Sequence, residues 1–164
     1  MIVVSDTSPI CYLLLIEEID LLPQLYKQVY IPQAVQQELV NNRSPAVVKA
    51  WIEHPPEWLV ICSVEVLDAN LAYLDPGERA VIALAEEQGA DLVIVDDGLG
   101  RRAARTRQLK VTGLLGVLDT AAQQNLVNFP GAISRLQQTT FRVSRSLLES
   151  LLQQYKLDDK RLTD

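Results

Sequence analysis

Two short runs rich in β-branched residues, "IVVSD" at 2–6 and "LVIVDD" at 92–97, each end in aspartate. Uninterrupted apolar runs of this length suit strands covered on both faces, the pattern of a parallel sheet. Three more strands read the same way: "QVYI" at 28–31, "EWLVICSV" at 57–64 and "LKVTG" at 109–113. Helical stretches separate them. "SPICYLLLIEEIDLLPQLY" fits one or two helices, with Ser8 as cap and Pro9 in the first turn. Pro32 opens "PQAVQQELVNN", and a helix over 45–54 is stopped by Pro55 and Pro56. "LDPGERAVIALAEEQGA" has Pro76 near its start and Gly89 at its end. "GLGRRAARTRQ" gives a short helix, and 114–127, 130–138 and 144–155 give the last three. Such alternation predicts an α/β fold, a three-layer α/β/α sandwich around a central parallel sheet. One domain is expected over 1–155, with a flexible tail over 156–164 and the longest loop at 63–75.

In parallel α/β sheets, ligands bind beyond the carboxyl ends of the strands. Asp6 ends the first predicted strand; Asp96 and Asp97 end the strand near residue 92. Ninety positions apart in sequence, they fall at one edge of the sheet. Glu38 and Glu78 lie on helices able to add to the cluster, Glu78 in a first turn where the helix dipole favours a carboxylate. Each position alone also fits a turn, a cap or a solvated helix face. Together they define a concentration of negative charge whose members repel one another unless protonated or bridged by a cation. Oxygen-only ligands suit Mg²⁺ or Mn²⁺. Such an ion activates water and neutralises a phosphate in phosphodiester cleavage.

The formal net charge of −6 argues against a generic nucleic-acid coat, but not against a metal-centred nuclease. A single histidine, His54, excludes a multi-histidine zinc site, and it reads as a surface or helix-end residue beside Pro55. Cys11 and Cys62 read as buried free thiols of a reducing, cytoplasmic compartment. No apolar run reaches the roughly 18 residues of a membrane span, and the start lacks the pattern of a secretion signal. The basic stretch "RRAARTRQLK" begins four residues after Asp97. Arg101, Arg102 and Arg105 could grip phosphates, or simply form a solvated, ion-paired face.

"VSDTSPI", "VYIPQAVQQEL", "LDPGERAVIALAEE" and "DLVIVDDGLGRRAARTRQLKVTGLLGVL" together resemble the PIN domain family, most closely its small single-domain prokaryotic branch related to toxin ribonucleases. The resemblance implies a PIN-like sandwich, Mg²⁺ or Mn²⁺ as cofactor, and hydrolysis of RNA. It assigns the catalytic acids to Asp6, Glu38, Glu78 and Asp96, with Asp6, Asp96, Glu78 and Asp97 toward the metal. Thr7, Ser8, Arg101, Arg102 and Arg105 are then expected to contact RNA. A small antitoxin protein and a second copy of the chain are the partners it suggests. Two positions depart from the family pattern: Ile94 stands where a Thr or Ser is frequent, and Glu78 where Asp is common. They leave open a catalytically weak or inactive module that binds RNA or protein. A phosphotransfer receiver is disfavoured because its acidic pair follows the first strand. An aspartate-nucleophile phosphatase is disfavoured because Ser8 stands where it needs a second Asp.

Overall fold

The computed structural model describes residues 1–163, with side-chain surroundings given through Lys156. Beyond Lys156 the expected flexible tail lies outside the described side chains. The chain forms two compact units, Met1–Val117 and Leu118–Asp164.

The first unit holds five strands: β1 (Val3–Ser5), β2 (Val29–Pro32), β3 (Leu59–Cys62), β4 (Leu92–Ile94) and β5 (Val111–Thr112). All pairings are parallel, in the order β3-β2-β1-β4-β5. Val3, Val4, Val29, Ile31, Val93 and Ile94 are buried, as expected for strands covered by helices on both sides. From β1 the chain steps outward to β2 and β3, then returns past β1 to β4 and β5. The reversal creates a switch point between the carboxyl ends of β1 and β4, where α/β folds open a crevice. Ser5 pairs with Ile94 across these two strands, and the Asp6 amide donates to the Ile94 carbonyl at 2.9 Å. Asp6 and Asp96 therefore leave neighbouring strands at one edge.

Helices fill the connections: α1 (Thr7–Leu15), α2 (Leu21–Tyr26), α3 (Gln33–Val40), α4 (Ala46–Glu53), α5 (Pro76–Gln88), α6 (Gly98–Thr106) and α7 (Leu114–Gln123). The strands and helices expected from the sequence are present with small shifts of boundary, except that the last helix, expected over 144–155, runs from Arg145 to Thr163. A single 3-10 turn, Ala69–Leu71, interrupts the 63–75 loop. One cap differs: Asp6, not Ser8, caps α1, accepting from the Thr7 amide at 2.8 Å, so the helix begins directly at the strand's end. His54 is exposed at the C-cap of α4, as a helix-end residue should be. Both cysteines are free, but half-buried rather than fully buried.

The second unit is built from the end of α7 with α8 (Phe129–Gln137) and α9 (Arg145–Thr163). Asn128 caps α8, accepting from the Gly131 amide at 2.8 Å. The Phe129 and Tyr155 rings stack with centroids 4.4 Å apart, and the Tyr155 hydroxyl donates to the Asp119 carboxylate. No helix among the described residues is long and apolar enough to cross a membrane.

One turn is strained. Lys27 has φ 66° and ψ −56°, and the Gln28 amide closes a three-residue turn on the Tyr26 carbonyl at 2.8 Å. This positive-φ γ-turn is costly for a residue with a Cβ. Lys27→Gly is expected to stabilise the fold by about 0.5–1 kcal/mol, less than the full strain because glycine loses more entropy on folding. Urea unfolding would test this, and a lower midpoint for the variant would refute the strain argument.

Candidate active site

The site is assembled from one strand end, one strand-to-helix loop and two helices. Asp6 leaves β1 only 7 % exposed. Its carboxyl is pushed up to about 7, chiefly by burial and further by the charges of Glu38, Asp75 and Asp96, against the stabilising bond from the Thr7 amide. Asp96 follows β4 by two residues. Its Oδ1 accepts from the Leu114 amide, the first of α7, at 2.8 Å. Its Oδ2 is buried without a hydrogen-bond partner. Burial raises its carboxyl, while the Leu114 amide and the Arg101 guanidinium pull it down.

Glu78 sits in the first turn of α5 and is also 7 % exposed. Burial, then the charges of Asp75, Asp97 and Asp6, push it up to about 8. Its position comes from a cap: Asp75 accepts from the Glu78 amide at 2.8 Å, with Pro76 as the first helical residue. Glu38 approaches from α3. The Thr7 hydroxyl donates to its Oε2, and the Gly77 amide lies against the same carboxylate and favours its ionised form. Burial still raises it above the ordinary range.

The start of α5, the end of α3 and the two strand ends thus bring Asp6, Glu38, Glu78 and Asp96 into one electrostatic neighbourhood. Asp97 is exposed and committed as the N-cap of α6, accepting from Leu99 at 2.9 Å and Gly100 at 3.2 Å. It acts on Glu78 by its charge. Thr7 serves Glu38, and Ser8 is half-buried in the first turn of α1.

The basic stretch divides. Arg107 is held by Asp68 and by Glu86, the latter at 2.7 Å, so it locks α6 to α5 and to the 63–75 loop rather than facing solvent as a phosphate grip. Arg101 is half-buried, its Nη1 3.4 Å from the Val95 carbonyl. Arg102 and Arg105 are exposed on α6.

Three participants escaped the sequence reading. Asp75 was legible as the start of D-x-x-E, the capping-box pattern at 75–78. Gly77 and Gly113 carry a subtler signal. A Cβ on Gly77 would lie 2.2 Å from Glu38 Oε1, and one on Gly113 would lie 2.6 Å from both Asp96 Oδ1 and Arg101 Nη1. Glycine within a helix's first turn costs stability relative to Ala, so its presence at 77 signals a close approach. Ile94, where a hydroxyl residue was the family expectation, is fully buried in the sheet.

The fold is a parallel α/β sandwich with buried carboxylates at its switch point. The family profile DUF3368, a PIN domain, matches residues 2–157, and the chain belongs to the PIN domain family. No curated protein matches it. PIN domains are generally nucleases that use divalent metal ions.

The donor set fits such an ion in kind: all oxygen, charge-starved by burial, with Asp96 Oδ2 left unpaired. In arrangement the site is open. Among the described residues, no three His, Cys, Asp or Glu side chains are placed to hold an ion together.

Proposed function

We propose that this chain is a metal-dependent ribonuclease. The observation that carries the reading is the burial of Asp6 and Glu78 side by side in charge, with carboxyls raised to about 7 and about 8. Folding gains nothing from burying such a pair; a bound dication offsets the repulsion. Asp6 and Asp96 would hold Mg²⁺ or Mn²⁺, with Glu78 and Asp97 toward the same ion. Bound there, the ion supplies charge neutralisation at the phosphate and a lower pKa for water.

The protein's own groups do the rest. Glu38, fixed by Thr7 and Gly77, would complete the shell through the attacking water, from which it accepts a hydrogen bond and which it orients. Water adds to phosphorus and releases one proton to solvent, one P–O ester bond breaks, and the departing oxygen takes a proton from solvent. Arg101 neutralises charge near Asp96, while Arg102 and Arg105 hold flanking phosphates. Ser8 is a further contact to RNA. A cytoplasmic toxin, silenced by a small antitoxin protein and acting as a homodimer, is the biological setting this reading favours.

A second reading, a PIN module that binds RNA or protein without cleaving, is favoured by one observation: the carboxylates do not converge on a common point. Labelled single-stranded RNA incubated with Mn²⁺, with and without chelator, separates the two. Cleavage that requires Mn²⁺ and falls by at least about 10²-fold in Asp96→Asn is expected. Metal-independent cleavage, or full activity in Asp96→Asn, would defeat the nuclease assignment; binding without cleavage would establish the second reading.

A further inference from the structure

We propose that Gly77 is a positioning residue for Glu38: its amide holds the carboxylate at the start of α5, in space that only the absence of a side chain provides. The inference deepens the nuclease reading and rests on it for its consequence, though not for its geometry. Glu38 lies near the end of α3, and α5 begins more than thirty residues later, so nothing local fixes their approach. Two donors do. The Thr7 hydroxyl, from the first residue of α1, reaches Oε2, and the Gly77 amide reaches the same carboxylate from the second residue of α5. Gly77 is itself buried.

The absent Cβ is the telling feature. Placed on Gly77, it would stand 2.2 Å from Oε1, 2.8 Å from Cδ and 2.9 Å from Oε2 of Glu38. Real Cβ atoms do not approach so closely, so the whole carboxyl group must leave. It is the free end of a flexible side chain, and it can swing away without moving either backbone. Ala is meanwhile the better helix former in the first turn of α5. Gly77→Ala should therefore keep the fold and displace Glu38. A glycine required only for backbone freedom would behave otherwise. Residue 77 is absent from the positive-φ positions, which include only Gly89 among the glycines of the described residues.

The test uses the full chain. Mn²⁺ affinity is measured by calorimetry, and RNA cleavage in parallel, for wild type, Gly77→Ala, Thr7→Ser and Thr7→Val. The expected result is an unchanged melting temperature for Gly77→Ala, with Mn²⁺ affinity weakened about 10-fold or more, as for loss of an outer partner of a metal ligand. Thr7→Ser keeps the hydroxyl and rescues; Thr7→Val reproduces the loss. Wild-type Mn²⁺ affinity and cleavage in Gly77→Ala would overturn the proposal. A wild-type chain that binds no Mn²⁺ defeats the nuclease reading instead, and the clamp is then judged by NMR. In Glu38→Ala the Gly77 amide should shift and exchange faster; an unmoved, equally protected amide would overturn the clamp.

Discussion

Asp6→Asn is expected to make the metal-free protein more stable at pH 8 while abolishing metal-dependent cleavage. The folded state holds the Asp6 carboxyl at about 7, against 3.8 for the ordinary side chain. Between these values the folded chain keeps a proton that the unfolded chain has released. Stability therefore falls as pH rises from about 4 through 7, and the full penalty, on the order of 4 kcal/mol, stands above that range. Glu78, raised to about 8, extends the decline in the same direction. Asn cannot ionise, so the variant loses the Asp6 share of the slope. Urea unfolding in chelator at pH 5 and pH 8 would show the wild type weaker at pH 8 and Asp6→Asn flatter. Saturating Mn²⁺ should oppose the decline, since ligands bind metal in their ionised form. A wild type equally stable at both pH values, or a variant less stable at pH 8, would remove Asp6 from a charge-stressed site.

Arg102→Ala combined with Arg105→Ala is expected to weaken RNA binding strongly, and Arg107→Ala to leave it untouched. The first two are exposed on α6, whereas Arg107 is held between Asp68 and Glu86. Losing two phosphate contacts to a single strand should reduce the slope of log K against log salt by about 1.4. Arg107→Ala should instead lower stability by about 1 kcal/mol, because its half-exposed pairs fasten α6 to its neighbours. Filter binding across a salt series, with thermal melts of both variants, distinguishes them. An unchanged salt slope in the double variant would show a face that is merely solvated.

The α/β order was readable because each strand is a short apolar run and each helix carries punctuation: Pro32, Pro76, Gly89. Asp6 and Asp96 could be placed at one edge because parallel strands put all their carboxyl ends on the same side. What sequence could not supply was which polar groups serve one another. Asp6 caps a helix and is also buried among the other acids, so the turn and site readings do not exclude each other. Arg107 looks like its neighbours at 101, 102 and 105 until the fold brings Asp68 and Glu86 to it. The bond from Thr7 to Glu38 joins residues thirty-one apart and leaves no local pattern. Gly77 reads as a helix start, and only the approach of α3 shows that a methyl group there would displace Glu38.

The pairing of β1 with β4 also fixes when this centre can exist. Besides β2, Val3–Ser5 pair with Leu92–Ile94, a contact between the first and the tenth ten-residue stretch of the chain. Long-range pairing of this kind forms late, after the cost of closing the intervening loop has been met. On the ribosome, surrounded by RNA, a growing polypeptide can already display Asp6 and Glu38 while Asp96 is still inside the exit tunnel. Whatever the acids do together is thereby withheld until β4 and the residues just after it have emerged.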